Sequence, residues 1–337
     1  MTKVKLVKFL GYLSREHLVY APQRVSGELV FDRLDNARKV EITNELPLHS
    51  FKKFLVPAKE SLFKYENGKI RPEIKCPALV LFGLTVLDLR AITMLDLVFA
   101  KDPYYQKRQA KTVIIGHNIM PAEKGQFFLD VFEEDILEHL KFDIFLTAQG
   151  KNFKVFAGSD LGIKFLEKFG EKDFEYIEYA GPIREEGPAP QMLKIKKAME
   201  ARPDHPLWEE LGKICIECGK CTAICPTCFC FDIDDKPGLE DGAGKRERSW
   251  GCCFYTDFSE VAGMVTSRSA NLQSEMKPKF LSTTRDRIKF WYEHKFVRIP
   301  HEFSVPGCVG CGRCTKVCPV GIDIKKNLQR LLRGKVK

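Results

Sequence analysis

The chain has 337 residues, 44% hydrophobic and 29% charged, with a formal net charge of +9. This is long enough for two domains with separate cores, and the composition is that of a soluble globular protein. The lysines and arginines are spread along the chain without a nucleic-acid motif, so the charge points to a solvated surface and an acidic protein partner rather than to nucleic acid.

The longest apolar run, Ala78 to Leu87, stops at Asp88 and is too short to span a bilayer, so no membrane insertion is expected. The apolar patch that follows Lys3, Lys5 and Lys8 breaks at Ser14-Arg15-Glu16, which argues against a secretory leader. Residues 1 to about 75 alternate short apolar runs with turns. Glu28-Leu-Val-Phe and Phe51-Lys-Lys-Phe-Leu-Val read as strands, with Pro22, Pro47 and Pro57 as punctuation. Pro77-Ala-Leu-Val-Leu-Phe-Gly is a continuous apolar run that fits a strand buried on both faces. Asp88 to Phe99 carries Leu89, Ile92, Leu95 and Phe99 at helical spacing, and Lys111-Thr-Val-Ile-Ile-Gly makes a second buried strand. Strand, helix and strand in this order predict a βαβ unit with parallel strands. Ligands in such sheets sit at the carboxyl ends of the strands, here Gly83-Leu-Thr-Val-Leu-Asp88 and Gly116-His117-Asn118. Neither is a GxGxxG fingerprint, so no nucleotide site is expected, and Asp88 and His117 are the residues placed to face each other across that edge. Asp143-Ile-Phe-Leu, Gly150-Lys-Asn and Phe153-Lys-Val-Phe-Ala read as a hairpin, and Leu161 to Phe169 as a helix ended by Gly170.

From Gly181 to Pro190 the composition turns to proline and glycine, as in a linker. The expected division is therefore an α/β domain without cluster ligands over 1–180, a linker and lead-in helix over 181–206, and an α-helical domain over 207–337. Helices are expected from Gln191 to Arg202 and around Trp208 to Leu211. Cys215-Ile-Glu-Cys-Gly-Lys-Cys-Thr-Ala-Ile-Cys-Pro226 then follows, and the pattern returns as Cys308-Val-Gly-Cys-Gly-Arg-Cys-Thr-Lys-Val-Cys-Pro319. Each copy is C-x2-C-x2-C-x3-C-P, the spacing by which a chain holds [4Fe–4S] clusters. Structural zinc takes C-x2-C pairs rather than two runs of four ending in Cys-Pro, and disulfides close poorly across such short spacings. Twelve of the thirteen cysteines lie beyond residue 214, and a thiol-rich chain without a leader is expected to be reduced and cytoplasmic.

Two [4Fe–4S] clusters are expected. In such patterns the Cys-Pro cysteine of each run serves the other cube. One cluster is therefore assigned to Cys215, Cys218, Cys221 and Cys318, and the other to Cys308, Cys311, Cys314 and Cys225. Gly219 and Gly312 are expected to turn backbone N–H groups toward the sulfurs, and Lys220, Arg313 and Lys316 to raise the potentials by their charge. The insert of about 80 residues between the motifs reads as polar and loop-like at Asp232 to Lys245 and as largely helical from Phe258 to Phe296. A P-loop reading at Gly238 to Lys245 fails on spacing and on Arg246. Cys228, Cys230, Cys252 and Cys253 are additional candidates for a third metal site. Adjacent cysteines rarely both reach one metal, so these four are expected to pack as small buried apolar groups. Gly321 to Leu332 reads as a basic amphipathic helix with Ile322, Ile324, Leu328, Leu331 and Leu332 as its apolar members. The fold class expected overall is α+β: a mixed α/β domain followed by a ferredoxin-like, α-helical dicluster domain with a long insert.

These motifs, with Cys225-Pro-Thr-Cys-Phe-Cys230, Arg246-Glu-Arg-Ser-Trp-Gly-Cys-Cys253 and Tyr20-Ala-Pro22, are similar to one family. The chain resembles the iron–sulfur beta subunit of soluble sulfhydrogenases ([NiFe] hydrogenases) and the A subunit of anaerobic sulfite reductase, from Tyr20 to Leu328. The cysteine pair alone is shared with heterodisulfide reductase and succinate dehydrogenase iron–sulfur subunits, so the N-terminal half is the more discriminating part. The resemblance implies an α-helical ferredoxin domain with two cubanes, working in anaerobic metabolism beside a flavoprotein subunit that exchanges electrons with NAD(P)H. Sulfhydrogenase-like members carry further cysteines after the two buried strands. Here the corresponding positions are Leu87, Ile119, Gly125 and Phe127, so an N-terminal cluster is not expected. The resulting expectation is a non-catalytic electron-relay subunit of a cytoplasmic oxidoreductase, between a flavin/NAD(P)H subunit and a terminal hydrogenase or reductase. The alternatives are a self-contained redox enzyme using the N-terminal domain, and a module that feeds heterodisulfide reductase.

Overall fold

The computed structural model describes residues 1–43, 45–74, 76–117, 134–182, 190–238, 242–261 and 279–333. Helix α1 (Lys3–Leu13) starts at Thr2, whose side chain accepts the Lys5 N–H. Strands β1 (Leu18–Val25) and β2 (Glu28–Arg33) form a hairpin through Ser26 and Gly27, both with positive φ. The strand expected at Phe51 is instead a single helical turn, α2 (Lys52–Leu55). Periodicity alone does not separate the two over so short an apolar run, and here Lys52 turns into the interior beside fully buried Phe51 and Leu55. Strands β3 (Lys59–Glu66) and β4 (Lys69–Pro72) follow.

The expected βαβ unit is present. It runs β5 (Leu79–Leu84), α3 (Val86–Val98), α4 (Pro103–Ala110) and β6 (Thr112–His117). Every residue of β5 and β6 is buried, and the two strands pair in parallel. Thr85 caps α3 by accepting the Asp88 N–H, and Asp102 caps α4 ahead of Pro103. The hairpin of β7 (Ile144–Gln149) and β8 (Asn152–Ala157) leads into α5 (Asp160–Phe169), which Gly170 closes in the left-handed conformation, and then β9 (Glu175–Tyr176).

Among the described residues, one sheet has the order β2-β1-β5-β6-β7-β8-β9 with a parallel centre. On one face, Leu6, Phe9 and Leu10 of α1 and Leu166 of α5 pack against Val80, Phe82, Val113 and Ile115. On the other, α3 covers Leu81, Ile114 and Phe145, and the same apolar layer continues into Ile299, Val305, Val309 and Cys311. The second motif thus sits against the α3 face of the sheet.

The C-terminal half contains α6 (Pro190–Glu200), α7 (Leu207–Ile214), α8 (Lys220–Ile224), β10 (Phe231–Pro237), β11 (Gly244–Trp250), α9 (Thr284–Glu293), α10 (Ile299–Phe303), α11 (Arg313–Val317) and α12 (Ile324–Arg333). A single π-helical turn, His294–Arg298, joins α9 to α10. Of the stretch 232–245, which read as a loop in the sequence, residues 232–237 and 244–245 instead belong to the antiparallel pair β10–β11. Its strands lack an apolar alternation because β10 is exposed along its whole length, and an exposed cross-strand pair, Arg246–Asp235 at 2.7 Å, ties it. Strand β11 pairs with β3, giving an antiparallel sheet β10-β11-β3-β4 drawn from both sides of residue 180. Glu60 of β3 holds Arg108 and Arg248 at 2.6 Å each, which fixes that sheet to α4. The insert is helical in α9, while residues 262–278 and the linker residues 183–189 lie outside the described residues, as do Ile119, Gly125 and Phe127. Leu332 is 41% exposed, so the apolar face of α12 is Ile324, Leu328 and Leu331, joined by buried Asn327, which donates to the Tyr292 hydroxyl at 3.0 Å.

Candidate metal centre

The two motifs repeat each other in backbone as well as in sequence. Gly219 and Gly312, at φ of 70° and 73°, each open a short helix, α8 and α11, and these pack together. Two residues earlier Glu217 and Gly310 are also left-handed, at 55° and 69°. Such a conformation is free for glycine and strained for Glu217, whose carboxylate is held by the buried Arg287 at 2.7 Å. The turns aim N–H groups at sulfur. The Gly310 N–H donates to Cys308 Sγ at 3.4 Å, its counterpart at Glu217 to Cys215, and the Arg313 N–H to Cys311. The donors are therefore Glu217, Gly310 and Arg313 rather than Gly219 and Gly312 themselves. After the second motif the Ile322 N–H donates to Cys318 Sγ at 3.3 Å.

The thiols fall into two groups. Cys215, Cys218 and Cys221 line a cavity of about 520 Å³ together with Cys318. Cys308, Cys311 and Cys314 line another of about 320 Å³ together with Cys225. Cys314 also reaches the first cavity, but the thiols that act on it most strongly are Cys311, Cys308 and Cys225. Trp291 of α9 lines both cavities and stands between them. Cys218 is exposed while Cys225, Cys308 and Cys311 are buried, so one cavity meets solvent and the other lies inside.

Burial pushes the thiols of Cys215, Cys221 and Cys314 up, and that of Cys308 to about 12. A bound cation offsets this burial cost by stabilising the thiolates. Cys225 goes the other way, lowered by the hydrogen bond from Cys228 and by the Lys295 ammonium. Among the described residues no three His, Cys, Asp or Glu side chains converge closely enough to hold a single ion. Thiols spaced around a cavity, with N–H groups directed at their sulfurs, instead suit a multi-iron cluster that fills the space between them.

The charges around the thiols differ in part from those expected. Arg313 is 3% exposed and is spent on a bidentate pair with fully buried Asp88, at 2.8 and 3.3 Å, and on the Pro47 carbonyl at 3.0 Å. The Asp88 pair offsets part of its charge, but the guanidinium also bonds Cys311, so its positive charge does stand beside the motif as expected. A second cation at the sulfurs is Lys295, 2% exposed, with Nζ 3.2 Å from Cys225 Sγ and 3.1 Å from Thr227 Oγ1. Lys52, 3% exposed, bonds the carbonyls of Thr222 and Cys228 at 3.3 Å and lies over the Trp250 ring. Nothing in the motif spacing marks either lysine. Asp88 and His117 do not meet. Asp88 faces Arg313 on the α3 side, whereas His117 packs between Phe82 and Phe153 on the α1 side, with burial lowering its pKa to about 4. Of the four remaining candidates, Cys252 and Cys253 are buried in the apolar group around Trp291, and Cys228 and Cys230 are half-buried. Leu87 is fully buried in the core beneath α3.

No helix among the described residues is long and apolar enough to cross a membrane. No solved structure matches the chain. Residues 214–322 match the family described as a 4Fe-4S dicluster domain, a span that takes in both motifs and both cavities. The chain is also similar to Sulfhydrogenase 2 subunit beta of Pyrococcus furiosus, at 25% identity over 339 residues, covering 97% of this chain and 96% of that one. The protein therefore carries a C-terminal 4Fe-4S dicluster domain and is, along almost its whole length, a relative of a sulfhydrogenase beta subunit.

Proposed function

We propose that the chain is an electron-transfer subunit of a cytoplasmic oxidoreductase complex, relaying single electrons through two [4Fe–4S] clusters. One would be held by Cys215, Cys218, Cys221 and Cys318, the other by Cys308, Cys311, Cys314 and Cys225. The observation that supports this reading is the pair of neighbouring cavities, in which Cys318 stands with Cys215, Cys218 and Cys221, and Cys225 with Cys308, Cys311 and Cys314. Such clusters supply one-electron chemistry. The chain's own part is to hold them apart across Trp291, to bury one and to bring the other to the surface at Cys218. The sulfhydrogenase relative supports a hydrogenase as one partner; a flavoprotein NAD(P)H-oxidoreductase subunit is the other partner of this reading. In this reading residues 207–337 carry the relay and residues 1–180 form its mount. The rival reading, a self-contained enzyme with Asp88 and His117 at its site, is disfavoured because those side chains lie on opposite faces of the sheet.

The test is spectroscopic and kinetic. The anaerobic chain takes one electron per cluster from a low-potential dye and does not oxidise NADH until a flavoprotein is added. Cys225→Ser alters the same paramagnetic signal as Cys311→Ser and spares the one altered by Cys218→Ser. NADH-dependent dye reduction by the chain alone would overturn the relay, and a signal shared by Cys225→Ser and Cys218→Ser would overturn the crossed ligation.

A further inference from the structure

Cys228, Cys230 and Cys253 open together onto a third cavity, of about 320 Å³, equal in volume to that of the Cys225 group. The two cavities share a wall made by Thr227, Trp291 and Lys295. His294, at the start of the π-helical turn, faces the same space and is a fourth side chain able to ligate metal. Cys252 points elsewhere, its sulfur accepting a hydrogen bond from Thr222 Oγ1 at 3.2 Å and lying 2.9 Å from where a Cβ on Gly219 would stand.

The charges surrounding this space call for an anion inside it. Lys295 and Lys52 are both almost fully buried, and among the described residues neither pairs with a carboxylate. An ammonium group held in the interior on carbonyls, a hydroxyl and a thiol is costly unless negative charge stands nearby. Lys295 faces the Cys225 group as well as this cavity, so a cluster in the former serves it in part. Lys52 bonds the carbonyl of Cys228, at the edge of the third cavity, and Cys228 is the thiol that acts on it most strongly, ahead of Cys225. Neutral apolar packing of these thiols leaves the two ammonium groups to the Cys225 group alone, whereas thiolates around a further cluster on the Cys228 side answer Lys52 as well. A single zinc ion suits the site less, because no three of the ligating groups among the described residues converge on one point.

We propose that Cys228, Cys230 and Cys253, with His294 as the fourth ligand, hold a third iron–sulfur cluster beside the Cys225 group. The site is distinct from both motifs, and it turns the C-x-C after the first Cys-Pro into a ligand pair rather than filler. Electrons leaving the buried motif cluster would meet it across Trp291 and Lys295, which places a branch or an additional stop on the path.

The deciding measurement is iron and labile sulfide in the full chain, purified and reconstituted without oxygen, together with electron paramagnetic resonance of the reduced protein. About twelve irons per chain are expected instead of about eight. Cys228→Ser and Cys253→Ser should each lose about a third of the iron and one paramagnetic signal, while Cys252→Ser keeps both. His294→Ala should shift that same signal and leave the others in place. A wild-type count of eight, or a single zinc per chain with eight irons, would overturn the third cluster and leave the motif relay standing. If a serine variant fails to fold, the wild-type count still decides. Absence of iron altogether would overturn the relay reading as well.

Discussion

Asp88→Asn is the sharpest test of how the N-terminal sheet holds the second motif. Asp88 is fully buried at the start of α3, and its two oxygens take Arg313 Nη1 and Nη2 at 2.8 and 3.3 Å. Arg313 lies between Cys311 and Cys314, so this pair fastens the motif loop to the βαβ unit. The amide keeps the shape and one acceptor but removes the charge. It leaves a buried guanidinium with the Pro47 carbonyl as its remaining oxygen partner in the pair's place. Breaking one side of a buried pair costs about 3–5 kcal/mol, and the retained acceptor brings the expectation to the lower end, about 3 kcal/mol. That corresponds to roughly a hundredfold change in the folding constant, and to a fall in the melting midpoint of roughly 4 °C. Anaerobic melts of the loaded chain, followed by far-ultraviolet circular dichroism and by the visible cluster absorbance, should show both signals falling together at the lower temperature. Arg313→Met added to Asp88→Asn should recover part of the loss, because the unpaired charge is then gone. A shift below about 1 °C for Asp88→Asn would refute the claim that this pair holds the motif in place.

Two further outcomes are expected. Lys295→Met removes a buried cation 3.2 Å from Cys225 Sγ, which should lower the potential of the cluster in that cavity by on the order of 100 mV in anaerobic redox titration; an unchanged potential would show that the charge is screened. His117 is held neutral, its pKa lowered by burial to about 4 from 6.5. The unfolded chain therefore gains a proton below pH 6.5 that the folded chain refuses until about pH 4. Stability is thus full above 6.5 and falls as the pH drops, by about 1 kcal/mol between pH 6.5 and 5.5 from this group. His117→Phe should flatten urea midpoints over that interval by this amount, and an equal slope in both proteins would contradict the buried neutral state.

What the sequence discloses depends on how local the cause is. Thiol spacing within each motif is a local requirement of the cluster, so the eight motif cysteines from Cys215 to Cys318 are legible in the sequence, and they line two neighbouring cavities with Cys314 reaching both. The β5–α3–β6 unit is legible because strands buried on both faces leave unbroken apolar runs. The β10–β11 hairpin is not, since its outer strand is polar and exposed and its pairing with β3 joins residues nearly 190 positions apart. The same holds for Lys52 and Lys295: two among 54 basic residues, they acquire their meaning from carbonyls and sulfurs brought to them by distant segments. The paired reading of Asp88 and His117 fails because both lie near the carboxyl ends of neighbouring strands, and nothing local tells which face each side chain takes.

The insert between the motifs is what joins these elements. Its β11 pairs with β3 and sends Arg248 to Glu60, while Trp250 donates to the Val56 carbonyl at 3.0 Å and receives the Lys52 ammonium on its ring. Its α9 carries Trp291 between the cavities, and the π-helical turn that follows sets Lys295 against Cys225. A π-turn shifts the register of the side chains that follow it, and such turns recur at functional positions. Here the shift coincides with the lysine whose ammonium lies against the Cys225 sulfur. A minimal pair of cysteine runs closes on itself, but this chain grips each motif from outside, through Asp88 on Arg313 of one and through Lys52 on the other. Both grips reach back to residues before 90, and both come from side chains held in the apolar layer between the sheet and the cluster loops. The spacing of the thiol groups is therefore set by the N-terminal sheet as much as by the motifs, and a disturbance in α2 or α3 reaches the cavities without touching a cysteine.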